Sequence, residues 1–132
     1  MARLIFDTNA LIHLDRLGGR VSQVSESDDI AIAAITLAEL RHGVLAAGAA
    51  RREAREQFVQ DVEEMIEVLP YTRSTAAEHA ALLDHVRRAG TPRGAHDLII
   101  AAHARQTDRQ VVSLDLKARF SDLPGVDILA GE

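Results

Sequence analysis

Four acids stand where apolar runs give way to polar residues or open into helices: Asp7, Glu39, Asp97 and Asp115. Carboxylates gathered in one place repel one another unless a cation neutralises them. The chain has no cysteine, and its histidines show no HExxH or comparable spacing. The donors on offer are therefore hard oxygens, which favour Mg²⁺ or Mn²⁺ over zinc. Such a centre binds phosphodiesters, polarises a phosphoryl oxygen and activates water. Hydrolysis of a nucleic-acid backbone is the reaction class these residues point to.

Whether the acids can meet depends on the elements that carry them. Leu4, Ile5 and Phe6 read as a buried strand that delivers Asp7-Thr8-Asn9 to its end, and Ala10, Leu11, Ile12 and Leu14 continue with helical spacing. A second apolar run at residues 30–35 is followed by Thr36 and a helical pattern through Leu37, Leu40, Val44 and Leu45. Ala49 to Leu69 reads as a long amphipathic helix with Phe58, Val62, Met65, Ile66 and Leu69 on one stripe. A brief strand follows around Val68 to Tyr71. Ser74 and Thr75 then open a helix whose slim stripe is Ala76, Ala80 and Leu83. After a Gly-Pro loop at residues 90–94, Asp97 leads into Leu98-Ile99-Ile100-Ala101-Ala102, apolar all round and so a buried helix. Gln110 to Leu114 is the next strand, ending in Asp115. A short helix through Phe120 and a last strand at Val126 to Leu129 close the chain, and the polar stretch Arg20 to Asp29 reads as a connection. Alternating strands and helices place the chain in the α/β class, with a parallel sheet covered on both faces. In such sheets the strand-to-helix junctions line the carboxyl edge, where ligands bind.

At 132 residues the expectation is one domain spanning 1–132. No apolar run approaches the roughly 20 residues of a membrane span, Asp7 interrupts the only signal-like segment, and the absence of cysteine suits a reducing compartment. A cytoplasmic protein without a membrane partner is expected. The net charge of -5 argues against coating nucleic acid by bulk attraction. Arg51, Arg52 and Arg55, and again Arg87, Arg88 and Arg93, form local basic clusters as candidate phosphate contacts. Arg41 and Arg93 are the two nearest the proposed edge.

Each acid also has a structural explanation. Asp7, Asp97 and Asp115 precede predicted helices, where aspartate is a favoured N-cap. Glu39 completes a Thr36-Leu37-Ala38-Glu39 capping box, with a second copy at Thr75 to Glu78. Singly, capping is the simpler account; together, four acids at one edge are not explained by it. His42, His96 and His103 are expected to be structural or exposed. A receiver-type phosphoacceptor domain needs an adjacent acid pair after its first strand, and a haloacid-dehalogenase-like phosphatase needs Asp-x-Asp-x-Thr. Asp7 is followed by Asn9 and Leu11.

Taken in order, Asp7-Thr8-Asn9 after a strand, Glu39 within Thr36 to Gly43, Asp97 to Ala104, and Ser113-Leu114-Asp115 followed by Phe120 resemble the four acidic motifs of PIN-domain nucleases. More narrowly they resemble VapC toxins of toxin-antitoxin pairs. The resemblance runs from Arg3 to about Leu129. It implies a three-layer α/β/α sandwich around a parallel sheet, usually homodimeric, that cleaves RNA with Mg²⁺ or Mn²⁺. It places Asp7, Glu39, Asp97 and Asp115 at the metal-binding acids and Thr8, Asn9 and Ser113 at supporting polar positions. It also implies a small antitoxin whose C-terminal segment wraps the toxin and brings a basic side chain to the acids. One position departs from the pattern: many relatives carry a further acid where Lys117 stands, which bears on a second metal. A catalytically idle PIN fold acting as a binding module is the alternative.

Overall fold

The computed structural model describes residues 1–16, 24–115 and 118–129. Its strands are β1 (Arg3–Phe6), β2 (Asp29–Ala33), β3 (Glu67–Leu69) and β4 (Gln110–Val112), all parallel in the order β3-β2-β1-β4. Phe6 is in register with Ile32 on one side and Val112 on the other, so β1, β2 and β4 finish level at the carboxyl edge. Beyond β4, Ile128 bridges Val111 in parallel, with Leu129 N donating to Val111 O at 2.9 Å. The expected last strand is thus a single bridge that covers the sheet's open side.

Successive side chains of a strand point to opposite faces, and that alternation divides the apolar runs between two cores. Leu4, Phe6, Ile32 and Val112 pack under α1 (Thr8–Arg16), α2 (Ala34–Ala46) and α3 (Ala49–Met65). Ile5, Ala31 and Ala33 pack on the other face, under α4 (Arg73–Ala89) and α5 (Ala95–Thr107). The result is the three-layer α/β/α sandwich expected from the resemblance. Among the described residues no helix is long and apolar enough to cross a membrane.

Several boundaries differ from the sequence reading, each for a local reason. Ala34 and Ile35 begin α2 rather than extend β2, so Thr36 lies inside the helix, fully buried, and no side chain caps α2. The Thr36 to Glu39 capping box is therefore absent, and with it the structural explanation for Glu39. α4 begins earlier than expected, with Thr72 as N-cap and Thr75 as its reciprocal partner. That partnership replaces the expected box at Thr75 to Glu78. The buried stripe of α4 runs through Thr75 and Leu82, leaving Leu83 exposed, because Thr75 Oγ1 donates to Gln106 of α5 at 2.6 Å. α3 ends at Met65, which is 84% exposed, and Ile66 leads into β3. Part of the Arg20 to Asp29 connection lies outside the described residues, as does Lys117.

α5 is the buried helix that its all-round apolarity predicts, with Leu98 and Ile100 to Ala104 all inside. His103 is among them, fully buried, with Tyr71 edge-on at 6.0 Å between centroids and, among the described residues, no hydrogen-bond partner for either ring nitrogen. Burial, and then the nearby His79, push its pKa below the ordinary value of 6.5. The unfolded chain binds this proton more readily, so stability is full above about pH 6.5 and falls as pH drops through the folded value. We expect His103→Leu to flatten that acid limb. Urea midpoints measured from pH 7.5 to 5 on both proteins check it, and parallel curves would refute it.

Candidate active site

Asp7 is the residue immediately beyond β1, and the fold fixes it from three sides. Its amide donates to Val112 O at 3.2 Å, Oδ1 accepts from Ala10 N at 2.9 Å as the N-cap of α1, and Oδ2 accepts from the Ser113 hydroxyl. Capping and chemistry are therefore not alternatives at Asp7, since the N-cap bond itself aims the carboxylate. Burial to 6% exposure raises its pKa, the Ser113 and Ala10 donors oppose that, and Asp115 and Glu39 raise it further.

Glu39 lies in the second turn of α2, where its Oε1 accepts from Thr8 Oγ1 at 3.1 Å and stands 3.5 Å from His96 Nδ1. Asp97 occupies the first turn of α5, whose N-cap is Gly94 with no side-chain cap. A carboxylate there gains from the helix dipole. Burial again raises its pKa first, followed by Asp115, Asp7 and Glu39, with His96 opposing. Asp115 lies beyond β4, and its amide donates to Ser113 Oγ at 3.1 Å. Asn9 is exposed at the start of α1.

The four acids thus come from four separate segments to one edge of the sheet and act on one another electrostatically. Among the described residues no Arg or Lys pairs with Asp7, Glu39 or Asp97. In this conformation no three His, Asp or Glu side chains of the described set converge closely enough to hold a metal ion. The chemistry of the donor set nevertheless fits a hard divalent cation. Every donor is a carboxylate oxygen, each oxygen of Asp7 accepts one hydrogen bond and has a second lone pair, and a cation would offset first the burial and then the mutual repulsion that raise Asp7 and Asp97.

Most of the arginines named as candidate phosphate contacts have partners within the chain. Arg52 and Arg55 donate to the carbonyls of Leu45, Ala47 and Gly43 at the end of α2, where cations complement exposed helix carbonyls. Arg87 and Arg88 pair with Asp84 one turn earlier. Arg93 turns inward onto the carbonyls of Ala118 and Arg119. Arg41 alone of the two tentative substrate contacts keeps half its side chain exposed, paired with Glu63. His96 is the neighbour that sequence reasoning set aside; its adjacency to Asp97 was the available signal.

The PIN-domain family model matches residues 4–125. The chain is 30% identical over 129 residues to a ribonuclease VapC of Rickettsia bellii, covering 96% of this chain and 94% of that one. It is 29% identical over 133 residues to a tRNA(fMet)-specific endonuclease VapC of Salmonella typhimurium, covering 97% of each. Among solved structures, the DNA-bound VapBC of Salmonella typhimurium superposes with a TM-score of 0.82 at 29% identity, over 98% of both chains.

Proposed function

This chain belongs to the PIN-domain family, and from that premise we propose that it is the VapC-type toxin of a toxin-antitoxin pair, an endoribonuclease that uses Mg²⁺ or Mn²⁺ to hydrolyse RNA. The observation that carries the reading is the meeting of Asp7, Glu39, Asp97 and Asp115 at one sheet edge. Full-length similarity to proteins named as ribonucleases supports it.

A divalent ion held by Asp7, Glu39 and Asp97, with Asp115 assisting, would supply Lewis-acid polarisation of a phosphoryl oxygen and an acidified water. The chain's own residues prepare that site. Ser113 and the amide of Ala10 fix the Asp7 carboxylate, Thr8 holds one oxygen of Glu39, and Asn9 stands exposed beside them. Arg41, two residues beyond Glu39 and half exposed, would exchange Glu63 for a phosphate. Such a local contact suits an acidic protein better than bulk attraction does.

An antitoxin partner is supported by a groove between α1 and α3. Leu14, Phe58 and Met65 line it together with Asp15, Glu26 and Asp61, and no Lys or Arg is among its described lining. An adjoining hollow shares Asp15 and Phe58 and reaches Thr8 and Glu39, with Arg16 and Arg55 also in its lining. A basic amphipathic segment lying in the first would lead toward the acids. A homodimer is the further expectation, for which Leu83, 49% exposed on α4, offers apolar surface.

The test is incubation of the purified protein with cellular RNA in Mg²⁺, in Mn²⁺ and in EDTA, alongside folded Asp7→Asn. Cuts that need metal and Asp7 are expected; metal-independent cuts retained in the mutant would overturn the reading. The second reading, a PIN fold that binds without cleaving, rests on Lys117 standing where many relatives carry a further acid. Titration calorimetry with Mn²⁺ separates the two when no cutting is seen.

Gly94 offers a gentler probe of the same site. A Cβ there would lie 3.0 Å from Asp97 Oδ2, while its φ of −61° suits any residue. Gly94→Ala is expected to keep the fold and to weaken Mn²⁺ binding about tenfold by displacing the Asp97 carboxylate. Calorimetry beside a melting curve checks this, and an unchanged affinity would count against Asp97 as a ligand.

A further inference from the structure

Arg93 precedes Asp97 by four residues, and its side chain is only 8% exposed. Nη1 donates to the carbonyls of Ala118 at 2.7 Å and Arg119 at 2.8 Å, and Nη2 lies 3.8 Å from Asp122 Oδ2. The Ala118 amide in turn donates to the Asp115 carbonyl at 3.2 Å. One guanidinium therefore joins the loop entering Asp97 to the stretch leaving Asp115. Two further observations give the clamp weight. Past Val112 the chain has left β4, so strand pairing does not place Asp115. Arg119 holds a left-handed φ of 46°, which a non-glycine residue keeps only when its surroundings impose it.

We propose that Arg93 is a positioning residue that sets Asp97 against Asp115 and thereby tunes the site's affinity for its cation. The proposal rests on the metal-dependent reading of the acids. A planar fork can serve two carbonyls and a carboxylate at once, which a lysine ammonium does less well and a glutamine not at all. A phosphate contact, the role suggested by sequence position, would leave the guanidinium facing solvent.

Arg93→Gln and Arg93→Lys test it, with three readouts on the full chain. Calorimetry should give a Mn²⁺ Kd about 10–100-fold weaker in Arg93→Gln, with Arg93→Lys between it and wild type. Cleavage at saturating Mn²⁺ should recover most of kcat, with KM for RNA unchanged. In metal-free protein, the amides of Ala118 and Asp122, both bonded within this stretch, should exchange faster with solvent. Unaltered exchange and Mn²⁺ affinity in folded Arg93→Gln would overturn the proposal. So would a raised KM with a reduced salt dependence, which marks a phosphate contact. If Arg93→Gln does not fold, Arg93→Lys carries the test; unfolding of both assigns Arg93 to the fold as a whole and also overturns it. A wild-type protein that binds no Mn²⁺ sinks the metal reading instead, and amide exchange still judges the clamp.

Discussion

Asp7→Asn is expected to abolish cleavage and, at the same time, to raise the unfolding temperature of the metal-free protein at neutral pH. Loss of activity should be roughly 100-fold or more if Asp7 holds the proposed metal, since a ligand matters at least as much as the groups that orient it. The stability gain follows from the sign of the Asp7 shift. Burial, Asp115 and Glu39 raise its pKa above the ordinary value of 3.8 against the pull of Ser113 and Ala10. The stabilisation this gives is full below that ordinary value and is lost as pH rises through the folded value. Toward neutral pH that stabilisation is lost, and the carboxylate is a burden on the metal-free fold. Asparagine keeps the N-cap bond to Ala10 and can accept the Ser113 hydroxyl or donate to it, while removing the charge. Mn²⁺ should raise the unfolding temperature of wild type by mass action and leave the mutant unmoved. Calorimetric scans in EDTA and in Mn²⁺, with an RNA cleavage assay, decide the matter. A folded mutant that cuts normally, or one less stable than wild type in EDTA at pH 7, would refute the expectation.

That trade between stability and site explains which features could be read from the chain. β1 and β2 were legible because Leu4 to Phe6 and Ala31 to Ala33 are buried on both faces and so form unbroken apolar runs, as Leu98 to Ala102 do in α5. The order of acids among those elements was enough to suggest a shared edge. Helix starts were less legible, because Thr36 and Thr75 look alike locally: each is followed three residues later by glutamate and each is buried at the third position of its helix, yet Thr75 answers Thr72 while no side chain caps α2. What distinguishes them is the residue three earlier, a threonine that can cap at Thr72 and an alanine that cannot at Ala33. The partners of the arginines were illegible for a related reason. Nothing in the neighbourhood of Arg93 reveals that its partners are the carbonyls of Ala118 and Arg119, 25 and 26 residues away.

Arg109 is the extreme case, and its replacement should have the largest effect on stability. It opens β4 from the edge opposite the acids, with a side chain 2% exposed. Nη1 donates to Leu4 O at 3.2 Å and to the carbonyl and Oδ1 of Asp29, both at 3.1 Å, and Nη2 lies 3.6 Å from Glu67 Oε1. One side chain thus ties the beginnings of all four strands, through partners 80 and 105 residues distant that no local pattern announces. Arg109→Ala leaves a partly buried Asp29 without this partner and strand carbonyls without their donor. The expected loss is on the order of 3 kcal/mol, at the low end for a buried pair because Asp29 is 29% exposed. Asp29 keeps Arg3 Nη1 at 3.3 Å, so Asp29→Asn in the same background should recover only part of it, by removing a charge that has lost its buried partner. Chemical denaturation of the two variants and wild type measures both, and a loss below about 1 kcal/mol would place Arg109 among ordinary surface pairs. Mn²⁺ affinity of the folded variant should not change. The two edges of one sheet would then differ in kind: at the first, acids are matched by arginines and serve the fold, and at the second, acids face one another and leave a charge for a ligand to complete.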